Sequence, residues 1–348
     1  MTIFNDTTYY EGDDVTIFAS ALVTNTPKPV NDFYQLPIYM QVLSVLICVI
    51  VMVIGIIGNL MVLIVILGAK DMRNSTNIFL VNLSIADLCL LLVCTPAILV
   101  EVNAGPEVWV LGKAIPFIES TIAHASVLTI LAISFERYYA ICKPLQANTI
   151  TMIVHPHNSY VCTKSRATMI CILDWIIAGF CTSPFLLMVT YKLEVDARGT
   201  LVPICATEAL AQWSIVYIAT TIGAFFVVPV IVLAMLYSVI VYRLVKRSAI
   251  KHEMNRHSLH NRNQVIRMLC TVISAFFICL LPFRAMMIWV IVSPLEELAN
   301  FGAEGYYCLL YFSRIMFYLN SALNPIFYAL MSTKFKNGFL KILKAAFS

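Results

Sequence analysis

The chain is 348 residues long, 60% hydrophobic and only 12% charged, with a net charge of +4 and a mean hydropathy of +0.86. That is far too apolar for a soluble domain of this length, and the small net charge gives no footing for a nucleic-acid-binding role. The sequence belongs in a lipid bilayer.

Residues 1–36 are polar, acidic and rich in Thr, Asn and Pro, without a basic-then-apolar signal peptide, and read as a disordered outer tail. Asn5-Asp6-Thr7 within it is an N-glycosylation sequon. Seven apolar stretches then follow, each long enough to span a bilayer as a helix of roughly 20 residues: 43–67, 78–100, 115–142, 167–189, 213–242, 265–292 and 306–330. The predicted fold is therefore an all-α membrane protein: a seven-helix transmembrane bundle over 37–331, then an amphipathic helix and short cytoplasmic tail over 332–348. Lysines and arginines gather after the first, third, fifth and seventh spans, whereas the opposite segments carry acids such as Glu101, Glu107, Glu194 and Glu296. Positive charge stays on the cytoplasmic side, so the N-terminus lies outside. Most of the eleven cysteines sit in apolar spans as small hydrophobes, and only Cys205 lies clearly in an extracellular loop.

Span one carries Gly58-Asn59, and span two carries Asp87 at mid-bilayer, a functional candidate because burying an acid in lipid costs a few kcal/mol. Pro96 predicts a kink in span two. In span three, Glu119, Ser126 and Arg137 stand seven and eleven positions apart, near whole numbers of turns, and so line one inward face. From Glu119 to Arg137 the helix rises roughly 27 Å, close to the hydrocarbon thickness. The Glu136-Arg137 pair lies just before Lys143-Pro144 breaks the helix. Taken alone, it fits an interfacial charge cluster as well as a functional one. Span four contains Trp175 with Asp174 beside it, for which the sequence offers no account. Residues 191–202 alternate around Asp196-Ala197-Arg198-Gly199 and read as a β-hairpin. In span six Phe276, Leu280 and Arg284 share a face, which carries Arg284 into the outer cavity above Pro282. In span seven Arg314, Ser321 and Tyr328 recur every seven residues and add a second arginine there. Phe335, Phe339 and Ile342 alternate with lysines, a pattern suited to lying on the inner leaflet.

In order along the chain stand Asn59, Asp87, Glu136-Arg137-Tyr138, Trp175, Pro229, Tyr237, Pro282 and Asn324-Pro325-Ile326-Phe327-Tyr328. Each motif is weak alone; the ordered set, spread over all seven spans, resembles the rhodopsin-like (class A) G-protein-coupled receptors. Within that family the chain is similar to the neuropeptide branch that includes the thyrotropin-releasing-hormone and ghrelin receptors. Tyr306-Tyr307, Ser313-Arg314-Ile315 and Ala123-His124-Ala125-Ser126-Val127 resemble arthropod CNMamide-type receptors. The resemblance implies a multi-pass plasma-membrane receptor for an extracellular neuropeptide, signalling to heterotrimeric G proteins as helix six moves outward. It implies that Glu136, Arg137, Tyr138 and Tyr237 serve G-protein coupling. It also implies that Asp87, Ser126, Asn320, Asn324 and Tyr328 form the activation core and could hold an allosteric sodium ion; a protonated Asp87 bonded to asparagine is the alternative. Glu119, Phe283, Arg284 and Arg314 would line the ligand site, with Glu119 bridging one or both arginines, a pair that could equally be structural. No other metal or cofactor and no enzymatic activity are expected.

The chain departs from that pattern in places. Leu280 stands where the family usually has tryptophan, and Arg262 is basic where an acidic partner sometimes occurs, which predicts a weak inactive lock. Ahead of span three Trp109-Val110-Leu111-Gly112 fits, but Lys113 follows at once, so the usual cysteine is missing and Cys205 has no partner in view. Residues 148–159 look like extra sequence. A short deletion and a short insertion at loop edges are what a misplaced exon boundary produces, so a receptor-like chain impaired in folding or signalling is the alternative reading. A retinal protein would need a lysine in span seven, where none occurs, and an amine receptor would normally carry Asp in place of Glu119. A transporter would usually show internal repeats, whereas these seven spans all differ.

Overall fold

The computed structural model describes residues 37–97, 99, 109–142, 162–195, 201–207, 211–250, 256–294, 297 and 300–346. Outside them lie the N-terminal tail with Asn5, the segment 148–159 and the hairpin turn, and likewise the side chains of 109–112, Cys205 and Arg262.

Seven long helices follow in chain order. They are α1 (Ile38–Gly68), α2 (Ser75–Cys89, a π turn Leu90–Cys94, and on to Ala97), α3 (Trp109–Cys142) and α4 (Lys164–Thr182). After them come α5 (Gln212–Ile222, a π turn Gly223–Val227, and Val228–Ile250), α6 (Arg256–Val292) and α7 (Ala303–Met331). A short amphipathic helix, α8 (Thr333–Ala346), ends the described chain. Six of the seven are long and apolar enough to cross a membrane. The seventh, α7, is 29 residues long and more polar, yet its Ser313, Asn320, Ser321 and Asn324 are buried in the bundle. Polarity turned inward is compatible with a membrane span because lipid sees only the apolar face.

Several helices outrun their hydropathic spans: α5 reaches Ile250 and α6 begins at Arg256. Hydropathy marks the hydrocarbon, not the helix, and the Lys-, Arg- and His-bearing extensions continue into cytoplasmic water. Both π turns end two residues before a proline, Pro96 or Pro229. A proline ring clashes with the carbonyl four residues back, and one widened turn relieves the clash, so the kink expected at Pro96 takes this form.

The helices form a closed ring with α3 inside it, packed on α2, α4 and α5, while α7 closes against α1 and α6. Apolar side chains on the outer surface, such as Ile54 and Ile57 on α1, Ile176 and Phe180 on α4 and Ile231 on α5, are exposed where acyl chains would cover them. Glycine sets the α1–α7 approach, since a Cβ on Gly58 would stand 2.8 Å from the Pro325 Cβ. Asn59 uses that proximity, donating from Nδ2 to the Gly55 and Ser321 carbonyls at 2.9 Å each.

Beyond a single helical turn (Phe185–Met188), β1 (Val189–Val195) and β2 (Leu201–Thr207) pair antiparallel with Tyr191 opposite Cys205. The hairpin is longer than the alternation suggested. Pro203 in β2 is tolerated because a two-stranded ladder has only edge strands. Both strands lie against α3.

Candidate functional site

The polar residues of the bundle are stacked along α3. At its outer end the Glu119 carboxylate is buried and accepts a hydrogen bond from the Tyr318 hydroxyl of α7. Tyr318 lies one turn beyond Arg314 on the same helix, within electrostatic reach of both Glu119 and Arg314. Phe283 of α6 packs against Phe317, ring centroids 6.1 Å apart, and Phe317 meets Tyr318 edge-on at 5.7 Å. An aromatic path therefore joins α6 to the Glu119–Tyr318 contact. Arg284 is partly buried beside Tyr217 and His124, and no carboxylate among the described residues lies within ion-pair distance of it. His124 itself is buried, stacked on Phe225 at 4.0 Å, with Nδ1 3.0 Å from the Thr182 hydroxyl. That hydroxyl donates to the Ala178 carbonyl at 2.7 Å, so Nδ1 is the nitrogen that carries the imidazole proton.

At mid-bilayer Asp87 is 3% exposed and accepts from Asn324 Nδ2 at 2.9 Å, with Ser321 beside it. Asn320 and Ser126 are buried too, as is Tyr328, which lies within electrostatic reach of Asp87. Asn320 Oδ1, Ser84 Oγ and the Tyr328 hydroxyl are fully enclosed and have no hydrogen-bond partner among the described residues. Ser84 precedes Asp87 by about one helical turn, and Asn320 and Tyr328 stand one turn to either side of its partner Asn324.

At the inner end Glu136 Oε2 lies 3.2 Å from the Arg137 guanidinium. The same carboxylate accepts from the Ser75 hydroxyl through Oε1 and from the Thr76 hydroxyl at 2.7 Å through Oε2. Tyr237 of α5 is buried with its hydroxyl 3.4 Å from Ser134 Oγ. Tyr138 packs edge-on against Tyr139.

A polar cluster that sequence reasoning left unexplained ties α2, α3 and α4 together. Trp175 Nε1 donates to Asn82 Oδ1 at 3.0 Å, and Asn82 Nδ2 donates to Thr129 Oγ1 at 2.9 Å. The single Thr129 proton faces two acceptors, the Ala125 carbonyl at 2.8 Å and Asp174 Oδ2 at 3.2 Å. Tyr318, Ser75, Thr76 and Thr129 were absent from the sequence-based site. Helical spacing could have exposed Tyr318, four residues after Arg314, whereas nothing in the sequence pairs the start of α2 with Glu136.

Residues 58–328 match the family model described as 7 transmembrane receptor (rhodopsin family). The growth hormone secretagogue receptor type 1 of Mustela putorius furo is 32% identical over 307 residues, which cover 85% of this chain and 79% of the relative. That of Homo sapiens is 30% identical over 307 residues with the same coverage. The thyrotropin-releasing hormone receptor of Mus musculus is 30% identical over 336 residues, covering 87% of this chain and 79% of its own length.

Proposed function

The chain belongs to the rhodopsin family of seven-transmembrane receptors, and from that premise we propose that it is a plasma-membrane receptor for an extracellular peptide which activates a heterotrimeric G protein. The observation that carries the reading is α3 itself. One helix holds a buried acid tied to α7 at its outer end and an acid–arginine pair at its inner end, with a polar core between them.

The chemistry of the outer site favours a peptide over an amine or retinal. Glu119, Arg284 and Arg314 offer one acceptor and two donors of charge-assisted hydrogen bonds, which suits a ligand with a polar or amide-capped end. A ligand group that bonds Glu119 competes with the Tyr318 hydroxyl and so loosens α3 from α7. Phe317 and Phe283 pass that change to α6, whose outward swing uncovers Arg137, Tyr138 and Tyr237 for the Gα subunit. Asp87, Ser126, Asn320 and Asn324 would hold a sodium ion, which offsets the cost of the buried carboxylate and favours the closed bundle.

The test is expression in cells carrying promiscuous G-protein reporters, with a neuropeptide panel applied outside. A dose-dependent response to one or a few peptides, lost in Arg137→Ala at an equal surface level, is expected. Silence across the panel from a receptor demonstrably at the surface would overturn the reading, as would full signalling by Arg137→Ala.

A further inference from the structure

Helix α4 ends at Thr182, where its last carbonyls have no donor within the helix, and Pro184 just beyond brings no N–H to serve them. Ser183 supplies the Phe180 carbonyl, with its backbone N–H at 3.2 Å and its hydroxyl at 2.8 Å. The next two carbonyls are reached from another helix: the Tyr217 hydroxyl of α5 donates to that of Cys181 at 3.1 Å and lies 3.4 Å from that of Thr182. A third helix holds the same turn, since His124 Nδ1 of α3 donates to the Thr182 hydroxyl at 3.0 Å. Side chains of α3 and α5 thus fix the point at which the chain leaves α4.

From that point residues 183–188 lead directly into β1. Met188 at their end is fully buried with Ile218 and Ile222 of α5, and Met287 and Ile291 of α6 pack against the same cluster. The hairpin is therefore seated at its root. Beyond the root β1 and β2 pair with each other and lie against α3, the helix in which Trp109-Val110-Leu111-Gly112 brings no cysteine ahead of Lys113.

We infer that Tyr217 is a positioning residue for the hairpin: by capping the exit of α4 it sets the direction in which the chain enters β1, and so does the anchoring that a bridge from Cys205 to α3 would otherwise do. Tyr217→Phe keeps the ring in its cluster and removes only the hydroxyl, which leaves the Cys181 and Thr182 carbonyls without that donor. The last turn of α4 then frays and the hairpin swings from its root. Anchoring is a property of the fold; its effect on peptide affinity rests on the receptor reading above. A swinging hairpin releases the peptide sooner, whereas the inner end of α3 keeps its contacts and the maximum response stays.

The experiment measures backbone amide exchange across residues 185–195 in the purified full chain, and the potency of whichever panel peptide activates it, at matched surface levels. Four chains are compared: the parent, Tyr217→Phe, and each of these with three residues and a cysteine inserted between Gly112 and Lys113. In the parent background Tyr217→Phe is expected to speed exchange several-fold and to lower peptide potency several-fold with an unchanged maximum. With the cysteine inserted, the bridge to Cys205 takes over the anchoring, so the same substitution leaves potency where it was, and Cys205→Ser in that chain brings the sensitivity back. Exchange that does not change in Tyr217→Phe would show that the hydroxyl anchors nothing. A potency loss that persists in the bridged chain would mean that Tyr217 touches the peptide itself, which also overturns the inference. If no peptide activates any of the chains, the receptor reading fails separately, and amide exchange alone decides the anchor.

Discussion

Tyr318 on α7 gives its hydroxyl proton to the Glu119 carboxylate on α3, a contact between residues 199 positions apart in the chain. Hydrogen bonds to a buried charge contribute about 1.5–3 kcal/mol, and breaking one leaves the acid without that donor. Tyr318→Phe should therefore lower thermal stability by about that amount and raise resting activity, because α7 loses its hold on α3. Glu119→Gln keeps an acceptor for Tyr318 but removes the charge, so stability should change little while peptide potency falls. Thermal unfolding of the purified receptor and dose–response curves separate the two effects. A Tyr318→Phe receptor as stable and as quiet as the parent would show that the contact holds nothing.

The bundle was legible because the bilayer dictates it: a run long enough to cross hydrocarbon can be counted, and the placement of lysine and arginine orients it. Inward faces were legible for the same reason, since Asp87, Glu119 and Arg137 are costly against lipid and all three are partly or wholly enclosed. Partners across helices were not. Periodicity says that Glu119 points inward, but the relative rotation of α3 and α7 decides that Tyr318 reaches it. Likewise Glu136 reads as one half of an acid–arginine doublet, and only the approach of α2 reveals its two hydroxyl donors. Pro96 announced a kink without saying that its helix would widen to a π turn, and the matching π turn before Pro229 was not foreseen.

Asp174 gains an account from proton counting. Trp175 can only donate, which fixes Asn82 Oδ1 toward it and Nδ2 toward Thr129. Thr129 then holds one proton for two acceptors, and the Ala125 carbonyl lies closer than Asp174. The cluster is complete when the group at position 174 brings a proton of its own. Asp174→Asn supplies one and should match the parent in surface level and response, whereas Asp174→Ala should cost about 0.5–1.5 kcal/mol of stability by removing one hydrogen bond from the Thr129 oxygen, which keeps Asn82 as its other donor. Equal damage from both substitutions would mean that a charged carboxylate is what the cluster requires.

Buried Asp87, with the enclosed oxygens of Ser84, Asn320 and Tyr328, predicts sodium dependence. If a sodium ion occupies that space in the closed bundle, raising sodium should weaken peptide affinity, and Asp87→Asn should abolish the effect. Potassium or choline at the same ionic strength provides the control, since screening acts on all salts alike. Peptide affinity that stays constant as sodium replaces choline would favour Asp87 held neutral by Asn324 alone.

Cys205 gives the last prediction. Its strand, β2, lies against α3, the helix whose first residues, from Trp109, run straight into Lys113 without the cysteine expected there. A cysteine placed at that end of α3 would be carried on the very element that β2 already touches. A disulfide between them would constrain the unfolded chain and pin the hairpin against α3, typically stabilising by about 2–4 kcal/mol. Inserting three residues and a cysteine between Gly112 and Lys113 should therefore raise surface level and thermal stability, and Cys205→Ser in the same background should cancel the gain. Surface staining, with non-reducing peptide mapping to locate the bridge, measures both, and transcript sequencing across this junction and the 148–159 segment shows which form cells make. Should the inserted and parent chains reach the surface equally and answer the same peptide equally, the hairpin holds its place through the β1–β2 ladder and its packing on α3, and Cys205 needs no partner.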